Sequence, residues 1–250
     1  MLVPKNPHYR VRADLPDWRD LPYHPQGNPL RPVVDLRNWA SPVEDQEHLG
    51  ACTGNAVVGA YELLMNRERP QDFRDLSRLF VYYNARLLEE DVAQDVGAEI
   101  RDAVRAARQY GLCLESIWPY NIQNFAVTPS TTSYEDAQHR TIRNYYRVST
   151  LEDALDALNN NWPIVFSLRV YDGFEALDDG DSLVPTPGAT DQPIGGHAMV
   201  IVGYDLAQQR VLCRNSFGRD WCQGGYCWIT FDYVRNEVMD MWIFDIALNN

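Results

Sequence analysis

Pro42-Val43-Glu44-Asp45-Gln46-Glu47-His48-Leu49-Gly50-Ala51-Cys52 runs directly into Val57, Val58, Tyr61, Leu64 and Met65. That apolar stripe at i, i+1, i+4, i+7 and i+8 predicts a helix that closes before Pro70. Cys52 therefore falls at or near a helix N-terminus, where the backbone dipole favours an anion. The polar run Glu44 to His48 does not fit a buried strand. Gln46, six positions before Cys52, can set a side-chain amide beside the Cys52 backbone N–H as an oxyanion hole. One such donor is worth ~3–4 kcal/mol in a transition state.

A single cysteine is most often a small core hydrophobe. What changes the reading is the patterned context downstream: Gly195-Gly196-His197-Ala198, then Arg214-Asn215-Ser216-Phe217-Gly218. A thiol attacks a carbonyl as the thiolate, and an imidazole beside it supplies the stabilising cation. Pairing of this kind can bring a cysteine pKa down to about 3–4, so a nucleophile charged before substrate arrives is the expectation. His197 opens an apolar strand and Asn215 ends another. If the strands are neighbours, the carboxamide holds the imidazole's tautomer, with Phe217 and Trp221 shielding that hydrogen bond from water. Nucleophile, base and orienting amide in this order point to acyl transfer.

Composition bounds the rest. A chain of 250 residues with 45% hydrophobic and 23% charged content is an ordinary globular protein, able to bury a large core. A net charge of −13 repels nucleic-acid backbones and anionic membranes, so neither is expected as a partner. Apolar runs such as Ala198 to Val202 are far short of the ~20 residues of a spanning helix. The N-terminus lacks the apolar core of a signal peptide, which suggests a cytoplasmic protein or one exported by another route. With Cys52 set aside, Cys113, Cys213, Cys222 and Cys227 permit two disulfides and require none. Cys222 and Cys227 lack the further ligands of a structural zinc site.

Residues 1–33 carry seven prolines, with Tyr9, Trp18 and Tyr23 between them, and read as an extended arm lying against the body. Such an arm either straps apolar surface or enters a substrate groove, and partial occlusion of the cleft is the sharper hypothesis. Helical spacing continues over Leu76 to Glu90, with Leu79, Phe80, Tyr83 and Leu87 inward, and over Ile100 to Tyr110, ended by Gly111. After the polar stretch Thr128 to Thr132 it survives only in Leu151, Leu155 and Leu158. Strands follow: Pro163 to Tyr171, His197 to Tyr204, Arg210 to Asn215, Tyr226 to Phe231 and Met241 to Leu248. The fold class is α+β, a helical lobe (about 50–125) followed by a sheet lobe (about 126–250).

These residues resemble the papain-like cysteine peptidases. The likeness runs from Asp35-Leu36-Arg37 and Pro42-Val43 through Gln46, Gly50-Ala51-Cys52, Leu76-Ser77 and Trp118-Pro119-Tyr120. It continues through Gly196-His197-Ala198, Val202-Gly203-Tyr204, Asn215-Ser216-Phe217-Gly218 and Trp221 to Gly225-Tyr226. It implies two lobes, helical and antiparallel β-sheet or barrel, with the active site in the cleft between them. Cys52 would be nucleophile, His197 acid and base, Asn215 orienter and Gln46 part of the oxyanion hole. The resemblance further implies a monomer needing no metal or cofactor and a polypeptide substrate bound extended. Gly97 would give it backbone hydrogen bonds, and Ser167 and Gly196 would line the pocket for the side chain two residues before the cut.

Leu49 stands where the family usually has a disulfide-bonded cysteine, Thr53 and Phe217 stand where it has tryptophans, and Glu47 where glycine is common. These departures look like the bacterial branch and fit independence from an oxidising compartment. The reading is a cysteine endopeptidase working through an acyl-thioester. A transferase or transamidase on the same scaffold, or a non-catalytic peptide-binding homologue, are the competing classes.

Overall fold

The computed structural model describes residues 9–178 and 180–248, apart from the side chain of Asp72. The arm's first eight residues, with Pro4 and Pro7, lie outside it. Three helices come first: α1 (Cys52–Glu68), α2 (Arg78–Leu88) and α3 (Ile100–Gln109). α1 is buried at every residue from Cys52 to Met65, as a helix apolar on all sides must be, with other elements packed around it. Ser77 caps α2 by accepting from the Phe80 N–H at 3.1 Å. Gly111 follows α3 at φ +83°, ending it as the sequence predicts.

The other half is mainly sheet. A short strand β1 (Val33–Asp35) precedes the helices, and β2 (Arg140–Arg147), β3 (Ile164–Val170), β4 (Gly195–Asp205), β5 (Arg210–Arg214), β6 (Tyr226–Thr230) and β7 (Val238–Leu248) follow them. They form one antiparallel sheet in the order β2-β7-β3-β4-β5-β6, with β1 on β4. The helix α4 (Thr131–Ala137) leads into β2, and α5 (Leu151–Asn159), α6 (Asp172–Glu175) and α7 (Phe231–Glu237) connect later strands. One core cluster joins the buried side chains of α1 and α3 to those of β3, β4, β5 and β7.

Register positions the chemistry. Leu168 of β3 faces His197 and Ser167 faces Ala198, while Val200 faces Arg214, the last residue of β5. Asn215 therefore leaves the sheet beside the start of β4, and its N–H is held by the Gly225 carbonyl at 2.9 Å.

Four features depart from expectation. β1 takes residue 33 into the sheet, so the arm's boundary falls inside a strand. β2, α4 and α7 form where the sequence has no strong periodic signal. α2 is shorter than residues 76–90, because Ser77 caps it. Leu87, expected inward, is 37% exposed, since the buried run of α2 stops at Arg86.

The arm packs on the body. Tyr23 Oη and the Gln26 and Gly27 N–H groups donate to the Asp156 carboxylate, and Arg31 reaches Asn159 and Asn161. Earlier in the arm, Leu15, Trp18 and Leu21 turn outward, Trp18 at 93% exposure.

Candidate active site

Cys52 is the first residue of α1, and no side chain caps that terminus. The unmade N–H groups of the helix's first turn are thus left for other partners. The Ala198 and Thr53 N–H groups hydrogen-bond the thiol, which places it at the head of β4. Cys52 has no exposed surface. Burial pushes its thiol up to about 12, and the Asp95 carboxylate acts in the same direction. With water excluded, burial opposes the thiolate that the sequence leads one to expect.

His197 and Asn215 meet as the register requires, with Nε2 to Oδ1 at 2.7 Å. A carboxamide oxygen only accepts, so the imidazole donates through Nε2. The same oxygen accepts from the Ser216 N–H at 2.8 Å, which fixes the amide's orientation. Phe217 lies over His197 with ring centroids 5.0 Å apart, and Trp221 packs edge-on to Phe217 at 5.7 Å. Phe174, which sequence reasoning missed, completes the wall 5.9 Å from the imidazole.

Gln46 is fully buried, not the surface residue its polar neighbours suggest. Its Oε1 accepts from Ser216 Oγ at 2.6 Å and its Nε2 donates to the Leu49 carbonyl at 2.9 Å. Its backbone is tied on both sides, the N–H to Ser216 O and the carbonyl to Tyr120 Oη. Ser216 thus decides which end of the amide faces the loop leading to Cys52. An amide NH₂ has two hydrogens, and Leu49 takes one.

The arm runs through the space between Gly97 and Gly196. Val11 N–H donates to Gly196 O at 3.1 Å, and Gly196 N–H donates to Tyr9 O at 3.3 Å. A Cβ on either glycine would overlap arm backbone, Arg10 at Gly97 and Val11 at Gly196. Gly97 sits at φ +75°, which also favours glycine. Its N–H donates to Tyr82 Oη at 3.1 Å. Ser167 is buried, its Oγ on Asp240 at 3.2 Å.

Tyr9 is 2% exposed, edge-on to both His197 and Phe174. Burial and the Glu175 carboxylate together push its phenol above the usual range. Behind it, Asp14 of the arm is anchored at the other end of the groove. Its N–H donates to Asp240 at 2.9 Å, and its carboxylate accepts from Trp242 Nε1 at 2.6 Å and from the Arg101 N–H at 3.2 Å. Burial and the neighbouring Asp240 push the Asp14 carboxyl up to about 7.

The five cysteines are free thiols. Cys213 and Cys227 face each other across β5 and β6, while Cys222 donates to the Asp178 carbonyl. Among the described residues no group of three His, Cys, Asp or Glu side chains could hold a metal ion, and no helix is long and apolar enough to cross a membrane.

The family model for "Papain family cysteine protease" matches residues 30–242. An uncharacterized peptidase C1-like protein of Acanthamoeba polyphaga mimivirus is 34% identical over 237 residues, covering 88% of this chain and 76% of its own. Xylellain, a cysteine protease from Xylella fastidiosa, superposes with a TM-score of 0.90 at 32% identity over 98% of both chains. The digestive procathepsin L 3 of Tenebrio molitor larval midgut shares the fold, with a TM-score of 0.76 at 21% identity over 95% of this chain and 76% of its own.

Proposed function

Because this chain belongs to the papain family of cysteine proteases, and is a cysteine endopeptidase, we propose that Cys52, His197, Asn215 and Gln46 carry its catalysis, on the 2.7 Å contact between His197 Nε2 and Asn215 Oδ1. Nε2 is committed to Asn215, so proton exchange with the thiol falls to Nδ1. That nitrogen takes the Cys52 proton as sulfur attacks the peptide carbonyl, and the resulting oxyanion is held by the Cys52 N–H and the Gln46 amide. The imidazolium returns the proton to the leaving amine, giving free amine and an acyl-thioester. Water, deprotonated by the same nitrogen, then cleaves the thioester to carboxylic acid and thiol. No step draws on a metal or a cofactor.

The polypeptide lies extended in the cleft, and the arm seated between Gly97 and Gly196 keeps it out. In this reading residues 34–250 are the peptidase domain and the N-terminal arm makes it latent. The arm's strand bonds to Gly196 support it, as does Tyr9 on the imidazole. Replacing Cys52 by Ala and following a fluorogenic peptide tests the catalytic assignment: turnover should vanish, and retained turnover would refute it. Shortening the arm tests latency, which unchanged kinetics would rule out.

A further inference from the structure

The arm that fills the groove presents its side chains to two different walls. Tyr9 and Val11 face the sheet, against His197 and beside Gly196 and Met239. Arg10 and Arg12, alternating with them as residues of an extended chain do, face the loop between α2 and α3. Arg10 donates to the Asp95 carbonyl and lies 3.9 Å from its carboxylate, and Arg12 pairs with Glu89. Neither carboxylate is there by accident of a mobile side chain. Both oxygens of Asp95 accept from the Gly50 N–H, and one accepts from Tyr82 Oη at 2.5 Å. Glu89 accepts from the Glu99 N–H at 2.7 Å. Among the described residues, each has its salt bridge with an arm arginine alone, so leaving of the arm strips both of their cations. Arg86 also feels both carboxylates, but its guanidinium is taken up by the carbonyls of Val92, Gln94 and Phe125.

We propose that Asp95 and Glu89 form an acidic rail on the helical wall of the cleft that selects polypeptide substrates carrying Arg or Lys at two positions separated by one apolar residue. The inference rests on the catalytic cleft proposed above and adds a substrate class to it. The pattern is the one the arm itself carries, Arg10-Val11-Arg12. Asp95 also connects the rail to the chemistry. Its charge opposes thiolate formation at Cys52, so the rail and the nucleophile lie within electrostatic reach of each other.

The test uses the full-length chain and four internally quenched peptides with the cores Arg-Val-Arg, Gln-Val-Gln, Arg-Val-Gln and Gln-Val-Arg. Displacing the arm costs the same for every substrate, so ratios of kcat/KM are free of it. The outer pair also reads the same in both chain directions. The expected result is that Arg-Val-Arg is cleaved about tenfold or more faster than Gln-Val-Gln, as two favourable ion pairs allow, with the ratio falling in high salt. Asp95→Asn and Glu89→Gln should each remove part of the ratio, Asn keeping an acceptor for the Gly50 N–H. The same ratio is read a second way, from the protection each peptide gives Cys52 against iodoacetamide, which requires no turnover. A ratio near one, or one unchanged in both variants, overturns the rail. Loss of cleavage for all four peptides with the protection ratio intact would instead count against the catalytic assignment.

Discussion

Tyr9 stands edge-on to His197, ring centroids 5.6 Å apart and planes at 82°, so the proposed base is covered by a side chain from the other end of the polypeptide. The contact is part of a sequence of them: Tyr9 on the imidazole, Arg10 on Asp95, Val11 on Gly196, Arg12 on Glu89 and Asp14 on Asp240. The first and last are the most buried, and they bracket the groove.

Tyr9→Ala should activate the protein. Tyr9 gives up nearly all its surface only when the arm is seated, so its truncation weakens the covered state by about 2 kcal/mol. A rise of roughly 30-fold in kcat/KM for a fluorogenic peptide is expected, since 1.4 kcal/mol is a factor of ten. An unchanged rate would show that the arm does not gate the cleft.

The Cys52 thiol gives a pH signature of the same closure. Its pKa is pushed up to about 12 with the arm seated, against about 9 for an ordinary thiol, so the seated state favours the neutral form and loses stability as pH rises above 9. Alkylation by iodoacetamide in the full-length chain should climb only on the alkaline side. In Tyr9→Ala the same profile should shift to lower pH, where the imidazole can hold the thiolate. Coincident profiles would contradict it.

Asp14 supplies a second titration. The Asp240 carboxylate, Trp242 Nε1, the Arg101 backbone N–H and Arg147 face it, and Asp20 shares Arg147 and Arg101 with it. With its carboxyl pushed up to about 7 from an ordinary 3.8, the seated arm binds a proton that the released arm does not. The raised pKa means that seating is favoured at low pH and weakens as pH rises from about 4 through 7. Hydrogen exchange at the Val11 and Asp14 amides, corrected for intrinsic rates, should therefore accelerate between pH 5 and about 8. Asp14→Asn, with no proton to lose, should flatten that dependence. Equal slopes in both proteins would remove Asp14 from the account.

Gln46→Ala should lower kcat by about 100-fold or more, the usual cost of one oxyanion donor. Ser216→Ala leaves that donor in place but frees its amide to rotate, since Oε1 loses its 2.6 Å partner. A drop of roughly tenfold in kcat with little change in KM is expected. A KM effect without a kcat effect would place Ser216 in substrate binding instead.

The sequence shows most of the helices and strands because elements buried on both sides read as dense apolar runs, as in α1 and β4, and those buried on one side show a periodic stripe, as in α3. It conceals β2, whose Arg140, Arg143, Asn144 and Arg147 break any alternation; that strand ends the sheet's strand order, with β7 its one neighbour there, and Ile142 alone of its residues is buried. α4 and α7 are seven residues each, and their starts are fixed by the Ser130 and Thr230 caps, not by an apolar stripe. Of the site, Cys52, His197 and Asn215 stand in local patterns that sequence carries. Phe174, Ser216 and Asp95 act through contacts made only after the chain folds back. The alternation of Tyr9 and Val11 with Arg10 and Arg12 was there to be read, but its meaning needed the two walls it faces.

The most direct test of the account is mass spectrometry of Tyr9→Ala after treatment at pH 6 with a peptidyl epoxide. The account predicts one covalent adduct, on Cys52, lost in parallel with peptide hydrolysis when Asn215 is replaced by Ala. An adduct on Cys113, Cys213, Cys222 or Cys227, or hydrolysis that persists in Cys52→Ala, would contradict it.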